Sequence, residues 1–142
     1  MPTPKKPRRN CRNCGKKLSR PEKFYCNINC QITYEHKQFI DLWLKGEVSG
    51  TQSNGLRVSS HVRRWLIATR GNQCEICGWN ERNPVTGNVP IEVSHTDGNS
   101  QNSIPSNLQL LCPNHHSLTP SFRNLNKGKG RKNRPDSTMV VQ

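Results

Sequence analysis

Residues 91–116 read Ile91-Glu92-Val93-Ser94-His95-Thr96-Asp97-Gly98-Asn99-Ser100-Gln101-Asn102-Ser103-Ile104-Pro105-Ser106-Asn107-Leu108-Gln109-Leu110-Leu111-Cys112-Pro113-Asn114-His115-His116. Val89, Ile91 and Val93 alternate with polar residues, the pattern of a half-buried strand, and His95 stands at its end. Asp97-Gly98-Asn99 starts a turn-rich loop. Leu108-Gln109-Leu110-Leu111 can return as a second strand. Pro113 suits the first position of a short helix, which Thr119-Pro120 ends. The stretch therefore predicts strand, loop, strand, short helix.

Working outward, cysteines bracket this unit. Cys74-x2-Cys77 precedes it, and 34 residues intervene before Cys112-x2-His115. Three thiolates and one imidazole can complete a tetrahedral zinc site. Spacing alone leaves open whether His115 or the adjacent His116 is the fourth ligand. A second group lies upstream, Cys11-x2-Cys14 followed by Cys26-x3-Cys30, and predicts a four-cysteine zinc site. Seven cysteines cannot all pair as disulfides, but seven with one histidine make two zinc sites. The chain needs such staples. Leu, Ile, Val and Phe together number 28 of 142 residues, a weak basis for a core. Both zinc ions are expected to be structural, since four protein ligands leave no open position.

Between the cysteine groups, Ile32, His36, Phe39, Ile40 and Trp43 recur at helical spacing, which predicts a helix over 31–46 with Gly46 as its stop. Residues 47–57 are rich in Gly and Ser and read as a linker. A second helix is expected from Ser60, a candidate N-cap, to Arg70. Val62, Trp65, Leu66 and Thr69 would share its face and Gly71 would close it. His36 and His61 are expected to be structural, and Trp43, Trp65 and Trp79 to be packing residues. The organisation expected is a disordered basic arm over 1–10, a four-cysteine finger over 11–30 and a helical linker region over 31–71. The zinc-clamped unit then spans 72–120 and a basic flexible tail 121–142.

The charge is concentrated at the two ends. Of the net +13, residues 1–23 carry +8, residues 121–142 carry +5, and the middle balances to zero. Basic clusters of this kind release counterions from phosphates, so nucleic acid is the expected partner. The gripping residues would be Lys5, Lys6, Arg8, Arg9 and Arg12 in the first arm and Lys127, Lys129, Arg131, Lys132 and Arg134 in the second. No stretch approaches the ~18 apolar residues of a membrane span. The basic start is followed by no apolar run, so an export signal is not expected. The thiols are then expected to face a reducing cytoplasm.

At residues 72–120 the chain resembles the zinc-clamped branch of the HNH endonuclease family, which has a ββα-metal active site. His95, Asn107 and His116 match the family's signature in order, within the shape x-H-x-D-G-N…N-L-x-L-L-C-x-x-(C/H)-H. More loosely, the leading finger, linking helix and N-K-G-x-G-R tail look like phage-type, free-standing HNH endonucleases of the homing kind. The resemblance implies a small α+β, metal-stabilised fold. It implies that His95 is the general base, and that His116 holds a catalytic divalent cation, magnesium or manganese. Asn107 would either ligate that ion or fix the loop carrying His95. The residue before the base is commonly His or Asp in the family and here is Ser94, a weaker ligand that remains a candidate.

The activity so implied is metal-dependent hydrolysis of phosphodiester bonds in double-stranded DNA, by nicking or by cutting both strands. The protein would act as a monomer or weak dimer on DNA, in a bacterial host cell if phage-encoded. Two other readings stay open. One is a non-catalytic zinc-containing nucleic-acid-binding protein with a degenerate HNH unit. The other is an RNA-directed nuclease, since basic arms do not tell RNA from DNA.

Overall fold

The computed structural model describes residues 1–55 and 57–126. The chain divides into two units, Met1–Leu42 and Trp43–Gln142.

In the first unit, residues 1–9 are exposed and carry no regular element. An antiparallel bridge then joins Asn10 and Lys17. The Cys11 N–H donates to Lys16 O at 2.8 Å and the Leu18 N–H to Arg9 O at 2.9 Å. Gly15 turns this hairpin at φ +75°, where a side chain is disfavoured. Helix α1 (Ile28–Leu44) follows. It starts earlier than the expected residue 31 because Asn27 caps it: Asn27 Oδ1 accepts the Cys30 N–H at 2.8 Å. Cys30 is thereby fixed in the helix's first turn. On the expected apolar face Ile40 and Trp43 are buried, whereas Ile32 is 42 % exposed.

The second unit opens with the C-terminal end of α1, closed at Gly46 (φ +77°). Helix α2 (Ser60–Arg70) buries Val62 and Leu66. Its N-cap is Ser59 and not Ser60: Ser59 Oγ accepts the His61 N–H at 3.2 Å. Thr69 is exposed and bonds back to Trp65 O at 2.8 Å, so it does not share the buried stripe. Trp65 is half-buried and meets Trp43 edge-on, ring centroids 5.3 Å apart.

Strands β1 (Glu92–His95) and β2 (Leu108–Leu111) pair antiparallel, with Glu92 opposite Leu111 and His95 opposite Leu108. Strand β1 starts later than the alternation of Val89, Ile91 and Val93 predicts. Pro90 has no N–H to give, and the Ile91 N–H turns back to Val89 O at 2.8 Å. Val89 and Ile91 are buried ahead of the strand, and within it the buried side chain is Ser94. Helix α3 (Pro113–Ser117) has Pro113 in its first turn. Single 3-10 turns cover Pro105–Asn107 and Arg123–Asn126.

A two-stranded sheet is marginal alone, and here its backbone is braced from outside. Glu75 N–H donates to Leu110 O at 2.9 Å, and Leu110 N–H donates to the Glu75 carboxylate. Arg70 donates to Leu108 O at 2.6 Å and to Pro105 O at 2.9 Å. Arg63 reaches Ile91 O at 2.8 Å. Two arginines of α2 thus hold the strand segments. Gly50 and Thr51, within the 47–57 stretch that reads as a linker, are built into this unit as well. Thr51 bridges Val58, and the Ser59 N–H donates to Gly50 O at 2.7 Å. Among the described residues no helix is long and apolar enough to cross a membrane.

Candidate functional site

All seven cysteines are free thiols, and two groups of four ligand atoms gather. In the first unit these are the Sγ atoms of Cys11, Cys14, Cys26 and Cys30, all within 4.8 Å of one another. In the second they are the Sγ atoms of Cys74, Cys77 and Cys112 with a His115 ring nitrogen, again within 4.8 Å. A tetrahedral ion ~2.3 Å from each sulfur sets S···S separations of about 3.8 Å. The observed Cys14–Cys26 and Cys77–Cys112 separations are 3.7 and 3.9 Å. His115 Nδ1 lies 3.3 Å from Cys112 Sγ and 3.6 Å from Cys74 Sγ. Both sets fit a four-coordinate ion.

In each group one thiol is brought toward thiolate, the form in which cysteine binds metal, while a neighbour is raised. Cys26 goes up to about 12, chiefly through its bond to Cys30, and Cys77 also goes up. N–H groups led by that of Cys14 bring the Cys11 thiol down to about 6, against the effect of burial. Burial raises Cys74, but the backbone at Cys112, Cys77 and Ile76 outweighs it and the thiol falls to about 6.

His116, the alternative ligand, points elsewhere. Its Nδ1 meets the Glu92 carboxylate, and its ring packs edge-on against Phe122 at 5.4 Å. Strand alternation puts Glu92 on the same face of β1 as Ser94. An imidazole, a carboxylate and a hydroxyl are therefore offered from β1 and α3. Ser94 itself is only 6 % exposed.

His95 ends β1 and is half-buried. Burial pushes its imidazole below the ordinary value, and the Asp97 carboxylate only partly offsets this. The following loop is fixed by Asn107. Its Nδ2 donates to Asp97 Oδ1 at 2.8 Å and to Asn102 O at 2.7 Å, while its Oδ1 accepts the Asp97 N–H at 3.1 Å. Of the two roles implied for Asn107, these bonds correspond to holding the loop that carries His95. Asp97 is in the turn, accepting also from Asn102 Nδ2 at 2.7 Å and Asn99 N–H at 2.8 Å. Burial opposes its charge, but the donors from Asn102, Asn107 and Asn99, with His95 nearby, outweigh that and hold the carboxyl below its usual value.

Three further residues enter the site that sequence reasoning passed over. Ser103 Oγ lies 3.0 Å from His95 Nε2, and Thr51 Oγ1 lies 2.7 Å from Ser103 Oγ. Both sit in polar, turn-rich stretches that give no periodic signal. Glu92 was legible from period-two alternation with Ser94.

The basic residues Lys5, Lys6, Arg8, Arg9 and Arg12 are exposed in the first unit. The Arg9 and Arg12 guanidiniums stack over the Phe24 ring, 4.8 and 4.4 Å from its centroid. Lys127, Lys129, Arg131, Lys132 and Arg134 lie outside the described residues.

A set of three cysteines and a histidine able to hold a metal ion beside a strand–loop–strand–helix unit, with histidines at the strand end and on the helix, is the kind of arrangement found in HNH endonucleases. The comparison with known proteins supports that family. Over 82 residues the chain is 38 % identical to the H-N-H endonuclease F-TflIV of Escherichia phage T5. The match covers 54 % of this chain and 34 % of that protein, so the chain spans about a third of its relative's length. No family model and no solved structure matches the chain.

Proposed function

We propose that this chain is a metal-dependent DNA endonuclease of the HNH kind, hydrolysing phosphodiester bonds of double-stranded DNA as homing-type enzymes do. The observation that carries the reading is the pairing of a half-buried, neutral-leaning His95 at the end of β1 with a His116–Glu92 pair reaching from α3 to the same strand. The 38 % identity to a protein named as an endonuclease supports it.

His95 takes a proton from the attacking water; an imidazole held below its ordinary pKa is in the accepting form at neutral pH. Asn107 holds Asp97 and with it the loop after His95. A divalent cation, magnesium or manganese, would be held by His116 and Glu92, with Ser94 adjoining. When bound it supplies a positive charge against the phosphate as negative charge develops. Glu92 provides the carboxylate that Ser94, at the position before the base, does not. Two zinc ions are assigned to Cys11, Cys14, Cys26 and Cys30, and to Cys74, Cys77, Cys112 and His115, as structural staples. The basic arms grip phosphates and extend the footprint beyond the small catalytic unit. One such unit makes one cut, so a duplex break needs two copies or two successive nicks.

The test is relaxation of supercoiled plasmid by the zinc-loaded chain in magnesium. Wild type converts the plasmid and His95→Ala does not. Should both leave it intact across divalent ions and sequences while still binding it, the protein is a nucleic-acid-binding module instead. A parallel assay on structured RNA decides the substrate.

A further inference from the structure

The segment between α1 and α2 reaches the site through one hydrogen-bonded line. His95 Nε2 lies 3.0 Å from Ser103 Oγ. Ser103 Oγ lies 2.7 Å from Thr51 Oγ1. Thr51 Oγ1 donates to the main-chain oxygen of Ser100 at 3.1 Å.

Counting protons fixes the direction of this line. A carbonyl oxygen only accepts, so Thr51 gives its single hydroxyl proton to Ser100. Thr51 can then only accept from Ser103, which uses the proton of Ser103. Ser103 is left able only to accept from the ring, so Nε2 carries the hydrogen. A neutral imidazole has one N–H, and Nδ1 is therefore left with its lone pair.

The line is rigidly backed. Ser103 is 4 % exposed, and its carbonyl accepts the Trp43 indole N–H at 2.7 Å. Gly50 packs against both: a Cβ there would lie 2.5 Å from Trp43 Nε1 and 2.6 Å from Ser103 O. Only glycine lets the chain approach closely enough to set Thr51 on Ser103.

We infer that Thr51 and Ser103 are positioning residues that set the tautomer of His95, leaving Nδ1 as its proton-accepting nitrogen. The inference rests on the reading of His95 as general base, and its test separates the two. Ring-selective 1H–15N spectra of the zinc-loaded full chain report which nitrogen holds hydrogen, and plasmid cleavage reports turnover.

Wild-type His95 is expected as the Nε2–H form. In Thr51→Val the Ser103 hydroxyl has no acceptor at residue 51 and gives its proton to Nε2. The ring hydrogen then moves to Nδ1, and kcat falls by about tenfold or more with KM for DNA unchanged. Thr51→Ser restores both the tautomer and kcat, which a purely structural role for the residue would not require. Thr51→Ala, with zinc content checked, behaves as Thr51→Val.

An Nδ1–H ring in wild type overturns the inference. So does an active Thr51→Val enzyme that keeps the Nε2–H form and wild-type kcat. A wild type that cleaves nothing, yet shows the tautomer change in Thr51→Val, sinks the catalytic reading and leaves the relay standing.

Discussion

Asp97 and Asn107 hold each other twice, side chain to side chain at 2.8 Å and main-chain N–H to side chain at 3.1 Å, across the loop that follows His95. The pair closes a ring of bonds that also takes in Asn102. Asn107 is 8 % exposed, so water cannot replace what it contributes.

Asn107→Ala should therefore destabilise the second unit by about 2–3 kcal/mol, the cost of leaving buried partners unsatisfied. Asn107→Asp should be worse near neutral pH, because it faces a second carboxylate toward Asp97. Urea unfolding of the zinc-loaded protein measures both, and equal midpoints for wild type and Asn107→Ala would refute the role.

Acid should weaken the site from two directions. His95 is held below its ordinary imidazole value of about 6.5 by burial. The unfolded chain thus binds its proton first, and stability falls as pH drops below that value. Asp97 is held below the ordinary carboxylate value, so its contribution is full above that value and is lost as pH falls toward the lowered one. The acid limb of plasmid cleavage should lie below pH ~6.5. A limb above it would contradict a neutral-leaning base.

Zinc removal should unfold the second unit rather than merely silence it. The pair of strands is too short to stand alone, and its ends are tied through Cys74, Cys77, Cys112 and His115. His115→Ala should lower bound zinc from two ions toward one by mass spectrometry. His115→Cys should keep both, and His116→Ala should also keep both. Loss of zinc in His116→Ala would reverse the assignment.

Glu92→Gln and His116→Ala should each raise the magnesium concentration needed for half-maximal cleavage by about tenfold or more, with the circular dichroism spectrum unchanged. An unaltered magnesium dependence in Glu92→Gln would remove Glu92 from the metal site.

The first basic arm should act through phosphates alone. Replacing Arg9 and Arg12 by alanine should weaken binding similarly on unrelated duplexes. For each phosphate no longer gripped, the slope of log affinity against log salt should become shallower by about 0.9.

The strand–loop–strand–helix unit was largely legible because its signals are local. Turn residues at Asp97-Gly98-Asn99, a proline at the start of α3 and paired ligand spacings each act over a few residues. The start of β1 was not, since a bond from Ile91 back to Val89 overrides the alternation. Ser59 took the cap expected at Ser60, a one-residue ambiguity that two adjacent serines do not resolve. The choice between His115 and His116 needed three dimensions, because neighbours on a helix point apart by about 100°. Nothing in the sequence marked Arg63 and Arg70 of α2, whose bonds to the main-chain oxygens of Ile91 and Leu108 span 28 and 38 residues. Thr51 was the least visible. Its partners lie 49 and 52 residues away, and no periodicity reports an interaction at that distance.

The close approach of Gly50 to Trp43 and Ser103 has a practical consequence for building chimaeras. A module excised at the first cysteine of its ligand group, Cys74, would leave behind Trp43, Gly50 and Thr51. To graft the second unit onto a different head, the junction belongs ahead of Trp43. The shortest transplantable piece begins some thirty residues upstream of where its metal ligands begin.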